Sequence, residues 1–139
     1  MGNFGSVIHR QKYDLLILNQ YEFYFCDYGQ SENTEANAFK HAYWSALNTQ
    51  TWGSSIALEI GQNHEQNTDT HNQHAMDLHN DDVGINIGEA LPDASFENLA
   101  REVLEHLASG AGRKLSNPSD RNSSIIDTNG AMLCRSRLE

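Results

Sequence analysis

At 139 residues with a mean hydropathy of −0.62, the chain is sized for one domain with one modest core, and no apolar run approaches the roughly 20 residues a membrane-spanning helix needs. Its formal net charge of −10, from 9 Lys and Arg against 19 Asp and Glu, repels a phosphate backbone, and no Lys/Arg cluster reverses this locally, which argues against nucleic acid as a partner. Two cysteines, Cys26 and Cys134, make no disulfide framework, and one bridge or two free thiols are equally open.

The opening Met-Gly-Asn-Phe-Gly has no charged segment leading into an apolar one, so no signal peptide is expected. From Asp14 to Tyr28, the residues Leu15, Leu16, Leu18, Phe23 and Phe25 between polar positions predict a buried helix stopped by Gly29. The aromatic run at Tyr21 to Tyr28 also suits a strand, in which case the helix ends near Glu22. Gln30 to Asn33 is a polar connection. From Thr34 to Trp52 the chain is rich in alanine, lacks proline and internal glycine, and stops at Gly53, which predicts a helix with Phe39, Ala42, Ala46 and Leu47 as its apolar stripe. Ser54 or Ser55 caps a following helix that carries Ile56, Leu58 and Ile60 and fades near Glu65 or Gln66. After a polar loop, a helix from Asn72 to Leu91 is ended by Pro92. Ser95 caps a last helix with Phe96, Leu99, Val103, Leu104 and Leu107 at helical spacing, stopped by Gly110 and Gly112. Gly112 to Ser124 is a polar tail, after which Ile125-Ile126 and Met132-Leu133 flank Thr128-Asn129-Gly130, a hairpin signal. The expectation is an all-α bundle of about five helices with a small C-terminal β-hairpin. It forms one domain over residues 1–137, since the terminal Leu138-Glu139 pair resembles a cloning scar.

Histidines, carboxylates and amides crowd the middle of the chain. Asn37, His41 and Ser45 lie four residues apart and form one polar line on their helix. That line is either a solvated face or the setting of a general base or ligand at His41. His64 and Glu65 are adjacent, about 100° apart on a helix, so both cannot easily bind one metal, and a solvated helix end is the plain alternative. His74, Asp77 and Asp81 fall at i, i+3 and i+7 on one face, where they could hold a divalent cation; the alternative is helix-end electrostatics at Asp77. Asn80 lies near that face, whereas His79 shares another with Val83 and Asn86. His71 reads as part of a polar loop. The absence of HExxH, CxxC and DxDxDG spacings leaves a metal site unspecified, and the absence of GxSxG, P-loop and GxGxxG motifs disfavours serine nucleophiles and nucleotide chemistry.

Three ordered motifs add a resemblance. Asn37-Ala38-Phe39-Lys40-His41-Ala42-Tyr43-Trp44, His64-Glu65, and Met76-Asp77-Leu78-His79-Asn80-Asp81 followed by Gly84 resemble an uncharacterised bacterial family marked by Arg-His-Ala-Tyr-Trp, Ala-His-Glu and Met-Asp-Leu-His-Asn-Asn motifs. Its members are small secreted proteins and C-terminal domains of polymorphic toxins. The similarity spans roughly residues 18–88. Lys40, Asn63 and Asp81 depart from the pattern, and a lysine at position 40 cannot supply the bidentate fork of an arginine. Carried over residue by residue, the resemblance implies a site of His41, His64, Glu65, Asp77 and Asn80, with Lys40 and His79 beside them; catalytic roles are expected of His41, Glu65, Asp77 and Asn80, and substrate contacts of Lys40 and Trp44. Histidine and carboxylate donors from several helices lead to the expectation of a divalent ion, zinc first, at His64, Asp77 and His79. The resemblance also implies a cognate immunity protein as partner and secretion or delivery within a larger protein.

The functional expectation is a hydrolase, metal-assisted, acting on a phosphoester or lipid-like substrate, with His41 or Glu65 moving protons. The alternative is a non-enzymatic protein-binding module whose polar cluster is a structural hydrogen-bond network. A nuclease would need a basic rim that the composition scarcely supplies.

Overall fold

In the computed structural model, the described residues are 33–65 and 71–130 together with Ile17, Gln20, Tyr24 and Phe25, and of His64 and Glu65 the backbone alone is described. They form α1 (Glu35–Trp52), α2 (Ser54–Glu65), α3 (Asn72–Ala90) and α4 (Phe96–Ala108), then an antiparallel pair, β1 (Arg113–Leu115) and β2 (Ile125–Asp127). The architecture is mostly helical with a small C-terminal sheet, and the helix count among the described residues is four rather than the expected five. The helix expected from Asp14 to Tyr28 lies outside the described residues, apart from Ile17, Gln20 and Tyr24, which are helical, and Phe25. No helix among the described residues is long and apolar enough to cross a membrane.

The alanine-rich run makes α1 as expected, and Gly53, at φ +88°, ends it by adopting a backbone conformation that L side chains rarely tolerate. One apolar stripe was expected on this helix, but it is buried on nearly every side from Glu35 to Thr49. The reason is the division of its surface by side-chain size. Phe39, Tyr43 and Leu47 join one core cluster with Phe25 and with Leu99, Val103, Leu104 and Leu107 of α4, where each fully buried aliphatic side chain contributes about 1.5–3 kcal/mol. The Phe39 ring stacks on Tyr43 with centroids 5.3 Å apart.

Small residues on α1 face α3. A Cβ placed on Gly84 would lie 2.0 Å from the Ala42 carbonyl oxygen, and one on Gly88 would lie 2.7 Å from that of Ala46. Only glycine permits backbones this close, so the Ala42–Gly84 and Ala46–Gly88 pairs fix where α1 and α3 cross. The α3–α4 connection is then tied back to α1, as Gln50 Nε2 donates to the carbonyls of Leu91 and Ala94, and Tyr43 Oη donates to that of Phe96 at 2.9 Å. The single-stripe amphipathic pattern expected for α4 is present, capped by Ser95 Oγ, which accepts from Asn98 N at 3.1 Å.

The pairing expected between Ile125-Ile126 and Met132-Leu133 reaches outside the described residues. Ile125 to Asp127 forms one strand, but its partner is Arg113 to Leu115, inside the stretch expected to be a polar tail. The intervening loop turns on its own polar side chains, Asn117 Oδ1 accepting from Ser119 N and Asp120 Oδ1 from Asn122 N. Met132 and Leu133 lie outside the described residues, as do Cys26 and Cys134.

Candidate functional site

Two polar lines meet at the α1–α3 crossing. On α1, Asn37, His41 and Ser45 recur every four residues; on α3, Asp77 and Asp81 do the same, so the close helix approach sets the lines against each other. Asn37 Nδ2 donates to Asp77 Oδ1 at 3.3 Å, and Ser45 Oγ donates to Asp81 Oδ1 at 3.2 Å. Between them lies His41. Its Nδ1 is 3.0 Å from Asp81 Oδ1, and its Nε2 is 3.5 Å from Asp77 Oδ1. The imidazole is therefore bracketed by two carboxylates, with its side chain 14% exposed and that of Asp81 4% exposed.

This geometry has a direct chemical meaning. The 3.0 Å contact is a normal hydrogen bond that fixes the ring's orientation, whereas the 3.5 Å contact at Nε2 is longer than one. A ring with acceptors at both nitrogens matches both N–H groups when it has taken up a proton, so the arrangement suits a residue that accepts and returns one. The Asp81 carboxylate is also incompletely satisfied: Oδ2 is buried, has no hydrogen-bond partner among the described residues, and would lie 3.1 Å from a Cβ placed on Gly61 of α2. A closed structural network would pair that oxygen.

Other expected site residues are placed elsewhere. Asn80 is fully buried (0% exposed), and its amide pairs twice with one backbone residue: Nδ2 donates to the Arg113 carbonyl at 2.9 Å and Oδ1 accepts from Arg113 N at 2.8 Å. Both ends are thus committed to holding β1 on α3. His79 places Nε2 at 2.9 Å from the Ala111 carbonyl oxygen, around the helix from Asp77 by about 200° for two residues, so these two do not converge on one ion as expected. The side chains of His64 and Glu65, expected as metal ligand and proton carrier, lie outside the described residues. Among the described residues, no group of three or more His, Cys, Asp or Glu side chains is arranged to hold a metal ion. Trp44 is 6% exposed and belongs to the core cluster, and Lys40 is half-buried, with burial pushing its ammonium below the ordinary range.

Sequence reasoning missed Glu35. Its carboxylate is 1% exposed, and Oε1 accepts from Lys114 Nζ at 3.1 Å, from Gly130 N at 2.9 Å and from Asn129 N. These bonds fasten the residues after β2 to the first turn of α1. An acidic residue in a first helical turn is ordinary in sequence, so nothing local flagged it. Asp81 and Ser45 were visible as members of polar lines, but only the crossing geometry sets Asp81 against His41 and Ser45 against Asp81.

A protein-family model described as a domain of unknown function, DUF6973, matches residues 20–111, more than half of the chain and the whole of the α1–α3 crossing. No solved structure matches it.

Proposed function

We propose that this chain, which belongs to the DUF6973 family, is a hydrolase in which His41 is the general base. The observation that carries this reading is the bracketed imidazole, with Asp81 at Nδ1 and Asp77 beyond Nε2. Asp81 holds the ring and matches the Nδ1–H. A water near Nε2 gives its proton to that nitrogen as its oxygen attacks a phosphoester or lipid-like ester. The bond to the leaving oxygen breaks, and His41 returns the proton to that oxygen. Asn37 steadies the Asp77 carboxylate through this cycle. General acid–base assistance of this kind contributes about 10²–10⁴-fold in rate.

The test is a hydrolysis panel on the purified chain with chromogenic phosphomonoester, phosphodiester and short-chain carboxylic ester substrates, with chelator and with added zinc or magnesium. Turnover of at least one class, reduced 100-fold or more in His41→Ala, supports the reading. Equal turnover by wild type and variant, or a folded wild type that turns over none of them, overturns it.

A second reading draws on the pairing of the two polar lines. Asn37, His41 and Ser45 each find a carboxylate across the crossing, as a register-fixing network in a protein-binding module would require. Under that reading His41→Ala lowers the melting temperature and no substrate is found.

A further inference from the structure

A furrow runs between α2 and α3, its smaller part lined in part by Asp81. It has two parts, of about 370 Å³ and about 130 Å³, that share Leu58, Asp82 and Ile85. Its floor is aliphatic: Leu58 is 43% exposed, and Leu78 and Ile85 lie beside it. Every charged side chain lining it among the described residues is acidic, and Asp82 and Glu89 are exposed along it. Those two carboxylates are seven residues apart on α3, roughly 10 Å along the axis at 1.5 Å per residue, with Ile85 between them.

We propose that this furrow receives a basic amphipathic helix of a protein partner, with an aliphatic side chain seated on Leu58 and Ile85 and two cations against Asp82 and Glu89. Charge complementarity selects this occupant. A helix carrying Lys or Arg at i and i+7 repeats the Asp82–Glu89 spacing, and a leucine at i+3 faces the apolar floor between them. An exposed leucine beside a buried isoleucine gives that side chain a surface to cover. A second copy of the chain is a poor occupant, because each copy carries a net charge of −10 and the furrow is acidic. None of the four residues assigned to the partner touches the His41 ring, and Asp81, which does, lines only the smaller part of the furrow.

The test uses the isotopically labelled full chain, titrated with an amidated alanine-rich helical peptide bearing lysines seven residues apart and a leucine three residues after the first. The same peptide with glutamates in place of the lysines is the comparator, and backbone amide shifts map the contact. The expected result is saturable shifts at Ser55, Leu58, Asp82, Ile85 and Glu89, lost at about 1 M salt, where the Debye length falls to about 3 Å. Affinity should fall about tenfold in the Asp82→Lys, Glu89→Lys double variant, whose two positions are exposed, so that circular dichroism should report an unchanged fold. A Leu58→Ser variant should also bind more weakly. Equal binding of the glutamate peptide, shifts confined to another face, undiminished affinity in the folded double variant, or self-association of the chain through this furrow each overturns the proposal.

Discussion

An amide side chain that both donates to and accepts from one backbone residue imitates a neighbouring strand, and Asn80 does this to Arg113. Its role is legible only once β1 is known to lie on α3, which is why its position between Asp77 and Asp81 in sequence suggested chemistry instead. Truncation to alanine leaves the partly buried N–H and carbonyl of Arg113 without those bonds, at about 1–3 kcal/mol each. Asn80→Ala should therefore lose roughly 2–4 kcal/mol in chemical denaturation and expose the Arg113 amide to hydrogen exchange. Unchanged stability with lost turnover would return Asn80 to the site. Lys40 gives a pH prediction of definite sign. Burial places its folded-state pKa below the ordinary 10.5, so over the alkaline range just under 10.5 the unfolded chain holds a proton that the folded chain has released. Stability contributed by this group therefore rises with pH through that range and levels off above 10.5. Lys40→Met should flatten that limb of the melting curve against pH; an identical slope in both proteins would contradict the assignment.

At the scale of the element, the crossing of α1 and α3 is set by small residues, and the His41–Asp81 geometry is a consequence of it. The Cβ of Gly84→Ala would stand 2.0 Å from the Ala42 carbonyl, a backbone atom that cannot swing aside. The helices must separate, at a cost of roughly 3 kcal/mol or more, and His41 must move away from Asp81 with them. Loss of turnover together with a lower melting temperature is the expected outcome, whereas a native-like melting temperature would mean that the helices are not in this contact. The helices themselves were largely readable, because alanine content, the Ser95 cap and the glycine stops act locally. Their facing was not. A helix buried on nearly all sides has no periodic stripe, so the sequence of α1 conveyed only the Phe39 side of its environment. The β1 strand was unreadable for a related reason: Arg113-Lys114-Leu115 has no alternating apolar pattern, and long-range bonds from Asn80 and from Asn33 to Leu115 N hold it in place.

For the molecule as a whole, α1 is the axis around which α2, α3, α4 and the hairpin gather, and Glu35 fastens the far end of the described chain back to its start. Replacing this buried carboxylate by Glu35→Gln removes its charge from Lys114, whose side chain is 18% exposed, and should cost about 2–3 kcal/mol, less than a fully buried pair because water reaches the lysine. Denaturant unfolding of the variant beside wild type checks this, and an unchanged midpoint would contradict it. The candidate site was half legible in advance: His41 and Asp77 stood out by residue type and spacing, but the Asp81 contact arises from two helices 40 residues apart in sequence. The central claim is that His41 and Asp81 work as one chemical unit. The most direct measurement is kcat/KM for His41→Gln, Asp81→Asn and the double variant on the fastest substrate of the panel. Each single change should lower it about 100-fold, with the double variant no worse than the weaker single within about twofold. Losses that multiply, or single variants within a few-fold of wild type, would contradict that claim.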